Sequence, residues 1–122
     1  YIGSAFIATE EARASDAYKQ CIVDSSSDDI VYSNLFTGVH GNYLAPSIRN
    51  AGLDPDNLEH SDPSKMSFGS DYGAKKAWKD IWGCGQGIGA VKGVVPVAEL
   101  VARLKRELGT ARQRVDARLN AA

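Results

Sequence analysis

Four glycines within seven residues constrain this chain of 122 residues more than any other feature. The run reads Gly83-Cys84-Gly85-Gln86-Gly87-Ile88-Gly89 and directly follows the stretch that carries Trp78 and Trp82. Each glycine costs about 1 kcal/mol inside a helix, so a backbone keeps so many where it must approach a phosphate, a flat ring or another backbone. The run therefore predicts one wall of a cofactor pocket, with a glycine-rich connection between two helices as the alternative.

The first residues of the chain predict a second wall. Apolar residues flank Gly3-Ser4, so residues 1–7 are expected to form a short strand. Thr9 is the expected N-cap of a helix that runs from Glu10 to about Val23, with acidic residues in its first turn. A strand, a Gly-Ser pair and a helix in this order place backbone N–H groups around a phosphate. Gly3 and Ser4 are thus a candidate phosphate site.

Three separated motifs resemble one known family, the nitronate monooxygenases (2-nitropropane dioxygenase family). The run Gly3-Ser4-Ala5-Phe6-Ile7-Ala8-Thr9-Glu10-Glu11-Ala12 is similar to the Gly-Thr-Arg-Phe-type motif on the last barrel strand of that family. Residues 29–44 resemble the segment that follows in one branch, and Gly85-Gln86-Gly87-Ile88-Gly89 resembles the C-terminal Ala-Gly-Gln-type motif. Cys84 stands where alanine is more usual. The resemblance covers roughly residues 1–107 and does not extend to residues 108–122.

The resemblance implies an α/β fold, namely a C-terminal fragment of a flavin-binding TIM (β/α)8 barrel. A complete barrel needs about 250 residues, so this chain is expected to be mostly helical, with one or two short strands. The expected parts are the last barrel strand (1–7), helices with a glycine-rich cofactor loop (8–95) and a C-terminal helix (96–119). The remainder of the barrel is then an expected partner, and the fragment alone is expected to be inactive.

The resemblance also implies FMN as the cofactor. Gly3 and Ser4 would bind its phosphate, while Gly85, Gln86 and Gly87 would lie against the isoalloxazine ring. The implied activity is an FMN-dependent monooxygenase that oxidises small alkyl nitronates with molecular oxygen, and an FMN-dependent enoyl reductase-like enzyme is an alternative. No catalytic residue is assigned, because the base proposed for the family lies in an upstream motif that this chain lacks.

The two histidines and two cysteines add little to this hypothesis. His40, between glycines, is expected to be structural or solvent-facing rather than a substrate contact, and His60 is expected to be exposed. Their spacing predicts no metal site. Cys21 and Cys84 favour free thiols over a disulfide.

Composition excludes several other classes of protein. Fourteen basic and fifteen acidic side chains give a net charge of −1, which argues against nucleic acid or an anionic membrane as a partner. Without an apolar run of about 18 residues or a signal peptide, a cytoplasmic protein is expected. The pattern Gly85-x-Gly87-x-x-Ala90 also fits a relaxed dinucleotide motif, but no buried strand is expected before it.

Between these motifs, short elements are expected. Residues 25–29 should break the first helix, and Ile30-Val31-Tyr32 should form a strand. Pro46 should begin a short helix that Gly52 closes. Residues 54–73 are expected to be a loop without strands, and a further helix is expected from Lys75 to Trp82.

The last quarter of the chain shows helical periodicity. Apolar residues recur at alternating spacings of four and three, with Leu119 a further four residues on: Val97, Val101, Leu104, Leu108, Ala111, Val115 and Leu119. Pro96 is expected to start this helix, and Gly109 to end or kink it. A terminal helix that packs on the body is favoured. The alternative is a pairing seam with a second copy, which would make the chain a non-catalytic helical interaction domain or a homo-oligomer.

Overall fold

The computed structural model describes residues 2–58 and 80–121. Its helices are α1 (Gly3–Ile7), α2 (Asp16–Asp24), α3 (Ala45–Asn50) and α4 (Val97–Leu119). Its strands are β1 (Ile30–Ser33) and β2 (Gly41–Leu44), and 3₁₀ turns cover Ser27–Asp29 and Gln86–Ala90. Of the described helices, none has both the length and the apolar character that crossing a bilayer requires.

A small antiparallel sheet holds the glycine-rich run in place. β1 pairs with β2 so that Ile30 lies opposite Leu44, which confirms the strand predicted at Ile30-Val31-Tyr32. The start of the glycine-rich run lies beside β2, where Leu44 N donates to Trp82 O at 2.8 Å and Cys84 N donates to Asn42 O at 3.0 Å. Trp82 is therefore bonded to β2 and is not helical as predicted. Of that predicted helix, Asp80 is helical and Ile81 is not, while residues 75–79 lie outside the described part.

The expectation of a strand at residues 1–7 is wrong for the residues that the structure describes, because Gly3–Ile7 is the helix α1. Local bonds satisfy the backbone here: Phe6 N donates to Ile2 O at 3.4 Å and Ala8 N donates to Ser4 O at 3.2 Å. A strand must pair with a neighbour, and no described strand lies beside this segment. Without that neighbour, helical bonds are the way in which these groups are paired.

The helix predicted from Glu10 begins later, at Asp16. Thr9 is not its N-cap: Thr9 pairs with Val95 in a single parallel bridge, with Glu10 N donating to Val95 O at 3.1 Å. The Thr9 hydroxyl donates back to Phe6 O at 2.7 Å instead of capping a helix that follows. The cap is Ser15, whose hydroxyl accepts from Tyr18 N at 3.3 Å, and α2 ends at Asp24, before the predicted break.

The two later helices confirm their sequence signals. Pro46 lies in the first turn of α3, and Gly52 follows its end with a φ of +83°, a left-handed conformation that favours glycine. α4 begins directly after Pro96 and runs to Leu119, so Gly109 does not end it. Residues 54–58 contain no strand, and the rest of the predicted loop to residue 73 lies outside the described residues.

The hydrophobic core joins the N-terminal segment to the glycine-rich region. Its buried members come from the N-terminal segment, α2, β2 and the glycine-rich region: Ala8, Ile22, Leu44, Ile88 and Val91. Ile88 is fully buried within the 3₁₀ turn Gln86–Ala90, so the glycine-rich run is anchored by one large side chain. This anchoring places its flanking glycines close to α1.

Candidate functional site

A cavity of about 620 Å³ lies where α1, the glycine-rich run and α4 meet. Gly3 and Ser4 line it from α1, and Gly85 and Gly87 line it from the glycine-rich run. Four of the five predicted cofactor-binding residues are thus brought together. The fifth, Gln86, is exposed and does not line the cavity.

One hydrogen bond joins the two predicted segments. The hydroxyl oxygen of Ser4, which is 7% exposed, accepts from the backbone N–H of Gly85 at 2.7 Å. A Cβ on Gly85 would lie 3.4 Å from that oxygen, at ordinary van der Waals contact, so the Ser4 side chain packs directly on Gly85. A serine hydroxyl that accepts one bond still has its own proton to donate, and Ser4 lines the cavity.

Tyr18, which sequence reasoning did not select, separates this cavity from a smaller one. Its hydroxyl donates to Gly83 O at 2.5 Å, and its ring stacks on Trp82 with centroids 5.1 Å apart. Burial raises the pKa of Tyr18, so its hydroxyl stays protonated at neutral pH. Beyond it lies a second cavity of about 290 Å³, which Phe36 and Tyr43 also line.

Both cysteines are free thiols, as the sequence favours. Cys84 lines the larger cavity, and burial, followed by the nearby Cys21, raises its pKa from 9.0 to about 11. Burial is also the main cause of the raised pKa of Cys21. Only a thiolate is strongly nucleophilic, so neither residue is suited to covalent catalysis near neutral pH. Cys84 instead adds polarizable surface to the cavity wall.

α4 provides the charged wall of the cavity. Among the described lining residues, only Arg103 and Glu107 carry a charge, and Leu104 lies between them. Nε of Arg103 lies 3.5 Å from Oε1 of Glu107. That nitrogen is buried and makes no hydrogen bond with the described residues. Sequence reasoning overlooked both residues, although an Arg and a Glu four apart on a helix predict such a pair.

Glu11 fixes the first turn of α4. Its two carboxylate oxygens lie 3.1 and 2.9 Å from the backbone N–H of Val97, which donates to them at the first position of the helix. A negative charge at a helix N-terminus is favourable. The sequence placed Glu11 in the first turn of a helix that begins at Glu10, where its charge would favour the helix N-terminus. It lies instead at the N-terminus of α4, which the bridge between Thr9 and Val95 brings close.

His40 is not among the described residues that line the cavity. His40 is exposed and stacks on Tyr32 with ring centroids 4.8 Å apart. This position agrees with the solvent-facing role that was expected for it, while His60 lies outside the described residues. Nor do three His, Cys, Asp or Glu side chains come together as metal ligands anywhere in residues 2–58 and 80–121.

Comparison of the chain with protein-family models, with curated proteins and with solved structures finds no match. The chemistry of the cavity is therefore argued from its own residues. Its volume falls in the range of about 300–1,000 Å³ that is typical of small-molecule sites. It combines an apolar lining with a few polar groups: the Ser4 hydroxyl, the Tyr18 hydroxyl and the Arg103 guanidinium.

Proposed function

We propose that the protein is part of an FMN-dependent oxidoreductase that resembles nitronate monooxygenase and oxidises alkyl nitronates with molecular oxygen. One observation carries the proposal. Gly3-Ser4 and Gly85-Gln86-Gly87 were selected from the sequence as the two halves of a flavin site, and residues from both line one cavity. The bond from Gly85 N to Ser4 Oγ spans 81 residues, so this proximity is a tertiary feature and not a consequence of sequence neighbourhood.

The residues present fit a flavin in size and in polarity. The cavity is large enough for a cofactor of several rings, and most of its described lining is apolar or glycine. A Cβ on Gly3 or Gly87 would meet nothing within 4 Å, so space is open beside both residues. Bound flavin would supply the electron-transfer chemistry. The chain would bind and orient the flavin, with the Ser4 hydroxyl donating a hydrogen bond to its phosphate.

Gln86 has a smaller part in this proposal than its neighbours. The sequence suggested that its amide contacts the flavin ring, whereas its side chain is exposed at the start of the 3₁₀ turn. The backbone of Gly85 and Gly87 is better placed to lie against a flat ring. We therefore expect Gln86→Leu to shift the flavin spectrum less than any substitution of Gly3.

The test is flavin content in a matched pair of glycine variants. Gly3 lines the cavity and Gly93 does not, yet neither has a positive φ, and a Cβ at either would meet nothing within 4 Å. We expect Gly3→Val to abolish FMN binding, because its side chain would occupy the cavity, and to leave the thermal midpoint unchanged. Gly93→Val should change neither FMN binding nor the thermal midpoint. Flavin absorbance and thermal unfolding of the intact protein measure this. Flavin retained by Gly3→Val, or absent from the wild type, would overturn the proposal.

A second candidate function, that of a helical interaction domain, is favoured by the far end of α4. Leu108 and Leu119 are each 72% exposed, and Val115 is 56% exposed. Sedimentation of the wild type beside Leu108→Ser would test it. A dimer that dissociates in the variant supports pairing through this face, and a monomer in both rejects it.

A further inference from the structure

The Nε of Arg103 lacks a hydrogen-bond acceptor among the described groups around it. Arg103 is the only cation among the described residues that line the cavity, and its side chain is 34% exposed. Its Nε is buried without a hydrogen bond in the described structure. Glu107 Oε1 lies 3.5 Å away, beyond the usual range of about 2.7–3.2 Å for such bonds. Arg103 thus lines the cavity with one donor, its Nε, that no described group accepts.

An anion with several oxygens would match this group better than Glu107 does. A guanidinium has five donors in a planar fork, which fits phosphate and carboxylate oxygens two at a time. Glu107 is 63% exposed, so it loses little when it returns to water. Exposed pairs four apart on a helix contribute only weakly to stability. Exchange of Glu107 for a ligand anion therefore costs Arg103 little.

We infer that Arg103 binds the phosphate of the flavin and makes the cavity select FMN over riboflavin. The inference rests on the proposed function. Gly3 and Ser4 offer only neutral groups from α1, whereas Arg103 supplies the charge from α4. Neutral donors can also bond a phosphate, but only Arg103 adds a full opposite charge and a planar fork that bonds two phosphate oxygens at once, so riboflavin forgoes this contact.

The test compares FMN with riboflavin, which lacks the phosphate, by fluorescence titration of the intact protein. Wild type should bind FMN more tightly than riboflavin. Arg103→Met should weaken FMN binding about ten- to hundredfold and leave riboflavin binding unchanged within about twofold. Arg103→Lys, which keeps the charge, should recover part of the preference. Glu107→Gln, which removes the competing carboxylate, should strengthen FMN binding.

Arg106→Met is the matched control, because it removes the same charge from an exposed position three residues further along α4. It should leave the preference for FMN intact. Equal effects of the Arg103 and Arg106 substitutions would indicate only a long-range field and overturn the inference. Equal weakening of FMN and riboflavin by Arg103→Met would also overturn it, since Arg103 would then only shape the wall. If wild type binds neither flavin, the proposed function fails with it.

Discussion

The two halves of α4 share one periodic pattern but have different surroundings. In the first half Leu100 is 2% exposed, and Glu11 accepts the hydrogen bond of Val97 N. Every residue from 105 to 121 is exposed, and the side-chain bonds within that stretch are local, such as the pair of Arg112 and Asp116 at 3.8 Å. One half belongs to the tertiary structure, and the other extends from it.

This difference shows that periodicity predicts a helix but not what the helix packs against. The predicted stripe included Leu104 and Leu108, yet Leu104 is half-buried and Leu108 is 72% exposed. The most buried residue of α4, Leu100, was not in the stripe at all. Burial depends on the element opposite, which here is the N-terminal segment, and spacing along one helix contains no information about that neighbour.

The largest effect is expected from the same side-chain truncation, leucine to alanine, made in each half of α4. Leu100→Ala should lower the free energy of unfolding by about 2–4 kcal/mol, because it leaves a cavity between α4 and the body. Leu108→Ala removes the same atoms from an exposed position and should change it by about 0.5 kcal/mol or less. Urea denaturation measures both. Similar losses would mean that the second half of α4 is also packed.

The next test concerns Cys84, which lies in the cavity wall that the first half of α4 adjoins. With its pKa raised from 9.0 to about 11, alkylation by iodoacetamide should rise between about pH 9 and 11. Over that window the native state keeps a proton that the unfolded chain loses, so the free energy of unfolding falls as pH rises. Mass spectrometry follows the alkylation of Cys84, with protein in urea as the control. If alkylation of Cys84 in the native protein reached half of its maximal rate below pH 9, the thiol would not be buried as described.

A smaller effect is expected from the cap on the first half. Glu11→Gln keeps an oxygen acceptor for Val97 N but removes the charge at the helix N-terminus, which should cost about 0.3–1 kcal/mol. Glu10→Gln is the control, since the backbone of Glu10, not its carboxylate, bonds Val95. Thermal unfolding at low salt should separate the two. Equal midpoints would show that the charge of Glu11 adds no stability to α4.

The smallest effect on stability is expected at the far end. Truncation after Leu108 removes a stretch that is exposed throughout its described length and should change the free energy of unfolding by less than about 1 kcal/mol. Helicity by circular dichroism should fall, because most of the deleted residues are helical. A large loss of stability would instead place this stretch against another part of the protein.

Local signals predicted much of the fold. Pro46 and Gly52 bracket α3, Pro96 precedes α4, and the β-branched run at Ile30 forms β1. Expectations failed where long-range contacts override local preference. Thr9 is a good cap by residue type, but it pairs with Val95, and the helix starts at Asp16 with Ser15 as its cap. The strand at residues 1–7 required a neighbouring strand, so the barrel remains an expectation from the resemblance alone.

The candidate site was predicted in part, because glycines leave space beside the backbone, and a Cβ at Gly3 or Gly87 would meet nothing within 4 Å. Gly3, Gly85 and Gly87 could be selected for that reason, and Ser4 as the partner of Gly3 in the Gly-Ser pair; all four line one cavity. Gln86 was selected for its amide, but a side chain's direction depends on the turn that carries it. The spacing of Arg103 and Glu107 predicts that they pair, but that Arg103 and Tyr18 line the cavity follows only from the packing of α4 and α2 around it.

The bond between Ser4 and Gly85 has a consequence for the order of folding. Its partners are 81 residues apart, so the ribosome releases Ser4 long before Gly85 exists. α1 has only five residues, too few to be stable in isolation, and closing so long a loop carries an entropic cost. We therefore expect α1 to dock after the sheet and α2 have formed. Substitutions in α1 should then accelerate unfolding and leave the folding rate nearly unchanged.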